Sequence, residues 1–279
     1  MIKSLFSLVK IEHTLFALPL ALTGAVLAAR GFPDIRTLFL VAVAFSGART
    51  AAMAFNRLAD RHLDSANPRT TDREIPRGRV TTAQAWTMIT VASLAYFFAA
   101  WALNGTCFLL SPIALAILLS YSYTKRFTWL CHFFLGLCLG IAPVAGWLAI
   151  SDVLEWPPVV LGMGVLFWVA GFDTIYACQD VEFDRQAKVY SFPSLFGMKR
   201  ALTLAAAAHV TAACLFVLSG SLAHLGWPFY VLSLITCALL LWEHILVRPG
   251  DSSRLNLAFF QVNSLVSFSL LAAVWSGIS

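Results

Sequence analysis

Residues 37–64 read TLFLVAVAFSGARTAAMAFNRLADRHLD. From Thr37 to Phe55 the only charge is Arg49, and directly after this apolar run Asn56, Asp60 and Asp64 follow at N-x-x-x-D-x-x-x-D spacing. An apolar run of about 17 to 25 residues is what a helix needs to cross roughly 30 Å of hydrocarbon. If the helix continues past Phe55, four residues advance it about 6 Å and turn it only about 40°, so the three polar side chains form one ribbon. The stretch therefore reads as a membrane helix that ends in an acidic edge.

The rest of the 279-residue chain extends that reading, with 59% hydrophobic residues, 12% charged and a mean hydropathy of +0.79. Nine such runs are predicted: Thr14 to Ala29, Thr37 to Phe55, Gln84 to Leu103, Thr106 to Tyr121, Trp129 to Ile150, Pro158 to Cys178, Ala201 to Ser221, Trp227 to Val247 and Leu255 to Ile278. They are too long and too continuously apolar for barrel strands, which alternate over about ten residues. Lipid offers backbone groups no water, so the expected fold is all-α, a polytopic bundle of nine transmembrane helices forming a single domain over 1–279. Lys3 and Lys10 before an apolar stretch ending in "AVLAA" have the look of a signal peptide, but with eight more runs behind it an uncleaved first helix is expected.

The six cysteines form no C-x-x-C pair and the six histidines show no metal-ligand spacing, so both sets read as packing or interfacial residues. The formal charge of +5 is not a nucleic-acid signal, because its placement has a membrane explanation. Of nineteen Lys and Arg, the N-terminus and alternate loops hold Lys3, Lys10, Arg57, Arg61, Arg69, Arg73, Arg77, Arg79, Lys125, Arg126, Arg185, Lys188, Lys199, Arg200, Arg248 and Arg254. The opposite side holds Arg30 and Arg36. By the positive-inside rule the N-terminus is cytoplasmic and the C-terminus lies outside a cell membrane crossed many times.

The same tally puts a second acidic stretch, "YACQDVEFDRQAK" (176–188), on the cytoplasmic face with the first. Asp180 and Asp184 repeat the four-residue spacing and Lys188 continues it, which suggests a loose duplication of the two halves. Carboxylates gathered at a membrane face repel one another unless a cation sits between them. Hard oxygen donors suit Mg²⁺, which binds through one or two carboxylates plus substrate phosphate oxygens. Asn56, Asp60, Asp64, Asp180 and Asp184 are therefore candidate ligands of a Mg²⁺-diphosphate site, against the plainer reading of a solvated charge run. Arg69, Arg73 and Arg77 straddle Pro68 and Pro76, so a structured loop is expected in place of a long helix. Arginine forks onto phosphate oxygens, and Tyr121 with Lys125 at Y-x-x-x-K spacing can face one ligand.

"NRLADRHLD" (56–64), "YSYTK" (121–125) and "DVEFD" (180–184), in that order, resemble the UbiA superfamily of intramembrane prenyltransferases over nearly the whole chain. "RTTDREIPRGR" (69–79) and "SFPSLFG" (191–197) resemble the loops that follow the two acidic motifs, while "KIEHTLFALPLAL" (10–22) and "RTAAMAFNR" (49–57) look most like the 4-hydroxybenzoate polyprenyltransferase-like branch. The resemblance implies a polyprenyl diphosphate and an aromatic hydroxy acid as substrates, in quinone synthesis. The alternative acceptor is 1,4-dihydroxy-6-naphthoate or another naphthoate, in menaquinone synthesis. On this reading Asp60, Asp64, Asp180, Asp184, Lys125 and Tyr121 carry the catalysis with bound Mg²⁺, and Arg69, Arg73 and Lys188 bind the diphosphate.

Arg49 lies seven residues before Asn56 and about 10 Å deeper on the same face. An ionised group at membrane depth usually faces the interior and marks a site. It is a candidate partner for the acceptor carboxylate, with Arg126 as its competitor. Asp173, seven before Asp180, is a candidate support for Tyr176, the metal site or an arginine. A membrane transporter is the rival class, favoured by in-span Arg49 and Asp173 and by an expected helix break at "GIAPVAG" (140–146). A CDP-alcohol phosphotransferase is excluded by its missing D-G-x-x-A-R motif.

Overall fold

The computed structural model describes residues 2–246 and 261–278, and within them every regular element is helical. A short helix α1 (Ile2–Val9) precedes α2 (Ile11–Ala29), α3 (Ile35–Ala59), α4 (Arg61–Ala66), α5 (Thr82–Leu103), α6 (Gly105–Thr124), α7 (Cys131–Ser151) and α8 (Trp156–Ala177). A 3₁₀ turn (Cys178–Asp180) leads into α9 (Val181–Gln186), followed by α10 (Phe192–Phe196), α11 (Met198–Leu222), α12 (Trp227–Leu246) and α13 (Asn263–Ile278). Each of the nine predicted runs coincides with one of these helices over its described part. Arg248, Arg254 and the start of the ninth run at Leu255 lie outside the described residues.

Seven helical segments are long and apolar enough to cross a membrane, beginning at Ile35, Thr82, Gly105, Cys131, Trp156, Met198 and Trp227. The first and ninth runs supply shorter apolar stretches, Ala17–Ala29 and Asn263–Ile278, so the expected nine crossings become seven by this measure among the described residues. The count covers only the described side chains, which leaves out part of the first run and the start of the ninth.

Helix ends follow local chemistry. Asp34 starts α3 by accepting the Thr37 N–H, and Thr81 with Gln84 forms a capping box at α5. Asn104 does double duty: its backbone closes α5, its side-chain oxygen caps α6 at Cys107 N, and its amide donates to Leu148 O across to α7. The long helices pack in a ring, α3 on α5, α6 against α7, α2 on α7, α7 on α8, α8 on α11, α12 on α13, and α13 back onto α2. Between helices in lipid, close backbone approach and polar contacts replace the hydrophobic drive. Trp168 Nε1 donates to Asn263 Oδ1 at 2.8 Å, tying α8 to α13.

The "GIAPVAG" break is not there: α7 runs unbroken through Pro143 from Cys131 to Ser151. The neighbouring packing explains it. A β-carbon at Gly24 would overlap the Pro143 carbonyl and one at Gly146 would overlap the Ala21 carbonyl, so α2 packs directly against α7 at the proline and in the turn after it. Gly146→Leu is expected to destabilise the fold by about 2 kcal/mol through overpacking, with detergent melting lowered by about 5 °C. An unchanged melting temperature would show that α2 and α7 can separate freely.

Candidate active site

α3 ends at Ala59 and α4 begins at Arg61; the residue between them, Asp60, has φ −90° and ψ 3°. Asp180 stands at the corresponding junction after α8, with φ −103° and ψ 8°. Both junctions lie in the bridge region of backbone space, sparsely used and common at functional sites. Asp60 N–H still bonds Asn56 O, and Asp64 N–H bonds Asp60 O, so the acidic ribbon survives the break in the helix. The two halves of the chain thus present the same device.

Between these edges opens a cavity of about 920 Å³, with Asp60, Asp64, Asp180 and Asp184 at its mouth and Val41, Phe45, Leu139 and Leu148 in its walls. The 67–79 segment caps it as a series of tight turns, as the two prolines require. Arg69 reaches from this cap across to the second motif: its Nε donates to Asp180 Oδ1 at 2.9 Å, Nη2 to Oδ2 at 2.5 Å and Nη1 to the Tyr176 hydroxyl at 3.0 Å. Burial works against the Arg69 charge, but the hydrogen bond to Asp180 and the fields of Tyr176, Asp180 and Asp64 together outweigh it and hold its pKa above the ordinary value. Asn67 Nδ2 adds a bond to Asp180 at 3.1 Å.

The first motif is held likewise. Lys125 Nζ lies 2.5 Å from Asp60 Oδ2, Asn56 Nδ2 donates to the same oxygen at 3.1 Å, and Arg73 Nη1 donates to Asp64 Oδ1 at 2.7 Å. Ser191 donates to Asp184 Oδ2 at 2.7 Å. Arg69, Arg73, Lys125 and Tyr121 all line the cavity. Lys188 does not: it is exposed, with its backbone in the left-handed region at φ 54°. Arg49 lines the cavity and its Nη1 donates to Val9 O at 3.0 Å and Thr14 Oγ1 at 2.9 Å. Its competitor Arg126 lies outside the lining, bonded to Ala59 O and stacked on Tyr123.

Among the described residues no three His, Cys, Asp or Glu side chains converge closely enough to hold a metal by themselves. The mouth nevertheless fits a hard divalent ion. Asp64 Oδ2 is buried and has no hydrogen-bond partner, and the other donors are carboxylate and amide oxygens. Mg²⁺ takes part of its shell from substrate phosphates and water, so it does not require three protein ligands at one point.

Sequence reasoning missed two residues. His132, in the first turn of α7, is buried and its Nδ1 lies 2.7 Å from Asp173 Oδ2; this is the partner of Asp173, a histidine with no spacing signal. Arg57 is buried in the cavity lining with its Nε unpartnered; positive-inside counting had already accounted for its charge.

An all-helical fold closed around a charged-mouthed, apolar-walled cavity defines a class, the intramembrane enzymes that handle charged headgroups on greasy tails. The chain belongs to the UbiA prenyltransferase family, whose sequence profile matches residues 17–265. It is 30% identical over 267 residues to a 4-hydroxybenzoate octaprenyltransferase of Vibrio atlanticus, covering 94% of this chain and 93% of that one. With the corresponding protein of Vibrio campbellii it shares 29% over 253 residues, 90% and 89% of the two chains. The apo structure of a UbiA homologue from Aeropyrum pernix K1 superposes with a TM-score of 0.84 at 35% identity, over 95% of this chain and 97% of that one. A UbiA homologue from Archaeoglobus fulgidus bound to GPP and Mg²⁺ shares the fold, with a TM-score of 0.75 at 21% identity over 98% and 99%. The chain is therefore a multi-pass membrane prenyltransferase by family, and that family displaces the transporter reading.

Proposed function

We propose that the protein transfers a polyprenyl group from a polyprenyl diphosphate to 4-hydroxybenzoate, in ubiquinone synthesis. The observation that carries this reading is the pairing of two acidic helix breaks at the mouth of one apolar-walled cavity, joined by Arg69. The names of the Vibrio relatives support the acceptor. Nine membrane crossings, a cytoplasmic N-terminus and mouth and an outward C-terminus belong to the same proposal, resting on the distribution of Lys and Arg.

Asn56, Asp60, Asp64, Asp180 and Asp184 would hold Mg²⁺, which when bound neutralises charge developing on a diphosphate leaving group. Arg69, Arg73 and Lys125, now engaged by these carboxylates, turn to the diphosphate oxygens as the ligand enters. With the Tyr121 hydroxyl they stabilise the leaving group by preorganised electrostatics. The cap and walls keep water from the allylic cation, which hydrolysis would otherwise consume. The isoprenoid tail lies along the apolar walls. Arg49 pairs the acceptor carboxylate.

Membranes containing the protein, given Mg²⁺ and a long polyprenyl diphosphate, are expected to prenylate 4-hydroxybenzoate and to leave haem untouched. Parallel reactions with 1,4-dihydroxy-2-naphthoate and 1,4-dihydroxy-6-naphthoate decide the route. Product from a naphthoate alone would move the protein to menaquinone synthesis, and no product from any acceptor with folded protein would overturn the reading.

A further inference from the structure

Arg49 on α3 and Asp173 on α8 both lie below the acidic junctions of their halves. Arg49 precedes Asp60 by eleven residues, about three helical turns, and Asp173 precedes Asp180 by seven, about two. Both line the cavity. α3 and α8 each contact α7, so the two residues reach the cavity from different helices.

Asp173 is held in one attitude. Its partner His132, with a side chain 3% exposed, is gripped at both ring nitrogens. The Phe192 N–H donates to Nε2 at 3.2 Å, so the ring proton sits on Nδ1 and is donated to Asp173 Oδ2 at 2.7 Å. The Asp173 side chain keeps 18% of its surface open. Phe192 follows Ser191, whose hydroxyl orients Asp184, so one turn at residues 191–192 sets both the acidic mouth and the deeper His132–Asp173 pair. None of the steps described above uses this pair.

We propose that Asp173 takes the phenolic proton of the acceptor and that His132 is the positioning residue that aims its carboxylate. The inference rests on prenyl transfer to an aromatic hydroxy acid in this cavity. An acceptor whose carboxylate meets Arg49 presents its hydroxyl at the other end of the ring, about one turn nearer the acidic junctions, toward Asp173. The hydroxyl O–H bond breaks, the proton passes to Asp173, and the oxygen's electron pair enriches the adjacent ring carbon. The donor C–O bond breaks with its electron pair leaving on the diphosphate, and that ring carbon bonds to the allylic cation so formed. The resulting dienone loses its ring proton to the diphosphate, and Asp173 returns the first proton to the oxygen. The imidazole N–H donated to Asp173 Oδ2 fixes the orientation of the carboxylate at the cavity wall, as a positioned base requires.

The test compares kcat for 4-hydroxybenzoate and for 3-fluoro-4-hydroxybenzoate, whose hydroxyl is more acidic and less in need of a base. Asp173→Asn is expected to lower kcat with 4-hydroxybenzoate by about a hundred-fold or more, the usual worth of a positioned base, with the donor KM unchanged. The loss should shrink several-fold with the fluorinated acceptor. Formate should restore part of the rate of Asp173→Ala. His132→Ala should show the same dependence on acceptor acidity, and His132→Asn, which keeps an N–H near the place of Nδ1, should recover most of the rate that His132→Ala loses. Equal losses with both acceptors, a raised donor KM, no formate rescue, or His132→Asn as impaired as His132→Ala would each overturn the assignment. Wild-type protein that prenylates neither acceptor would instead overturn the function on which it rests.

Discussion

Asp60→Asn and Asp184→Asn are each expected to lower prenyl transfer by at least about a thousand-fold, equivalent to about 4 kcal/mol of transition-state stabilisation. The fold should tolerate both. Asp60 is buried against Lys125, but the lysine side chain is 30% exposed and can turn to water when its partner loses charge. Asp184 accepts from the Ser191 hydroxyl, a bond an amide oxygen can keep. Melting in detergent without ligand should therefore shift little. Addition of Mg²⁺ with inorganic diphosphate separates binding from chemistry: at about a hundred times Kd a ligand stabilises the native state by about 2.7 kcal/mol, and the variants should lose that gain. Near-wild-type turnover by either variant in excess Mg²⁺ would remove both residues from the metal site.

Arg49→Leu is expected to lower kcat/KM for the acceptor by about 1.5 to 3 kcal/mol, roughly ten- to more than a hundred-fold, with the donor KM nearly constant. The wild-type protein should reject phenol, the acceptor without its carboxylate, while Arg49→Leu should discriminate far less between the two. The geometry favours this arginine over Arg126, which lies outside the cavity and is engaged by the Ala59 carbonyl. Arg49 also donates to Val9 and Thr14, so its loss frees the N-terminal segment. If both substrates weaken together or melting falls without a change in acceptor selectivity, the residue is a structural tie between α3 and that segment.

The membrane fold and the acidic site were legible in the chain because both are written in short-range patterns. Apolar run length reports helices directly, since hydrocarbon leaves the backbone no other partner. The four-residue spacing of Asn56, Asp60 and Asp64 reports a shared face, and it persisted although the helix breaks at Asp60. Pro68 and Pro76 likewise announced the turns of the cap. Local rules failed where a neighbour intervenes. "GIAPVAG" reads as a break by its proline and glycines, yet those glycines are the places where neighbouring helices come close, Gly140 against Gly162 of α8 and Gly146 against Ala21 of α2, and α7 continues through them.

The sequence by itself thus determined that the chain is a helical membrane protein with two matched acidic edges and a basic loop between them, because solvation of the backbone and helical periodicity act within one or two turns. Only the tertiary structure decided which charges meet. Arg69 pairs with Asp180 across 111 positions, Lys125 with Asp60 across 65, and His132 with Asp173 across 41. It also set Lys188 outside the cavity and Arg49 within it. Such pairings depend on how whole helices are rotated and docked, and that is settled by side-chain volume at contacts such as Gly146 against Ala21, to which the spacing of charges along the chain is blind.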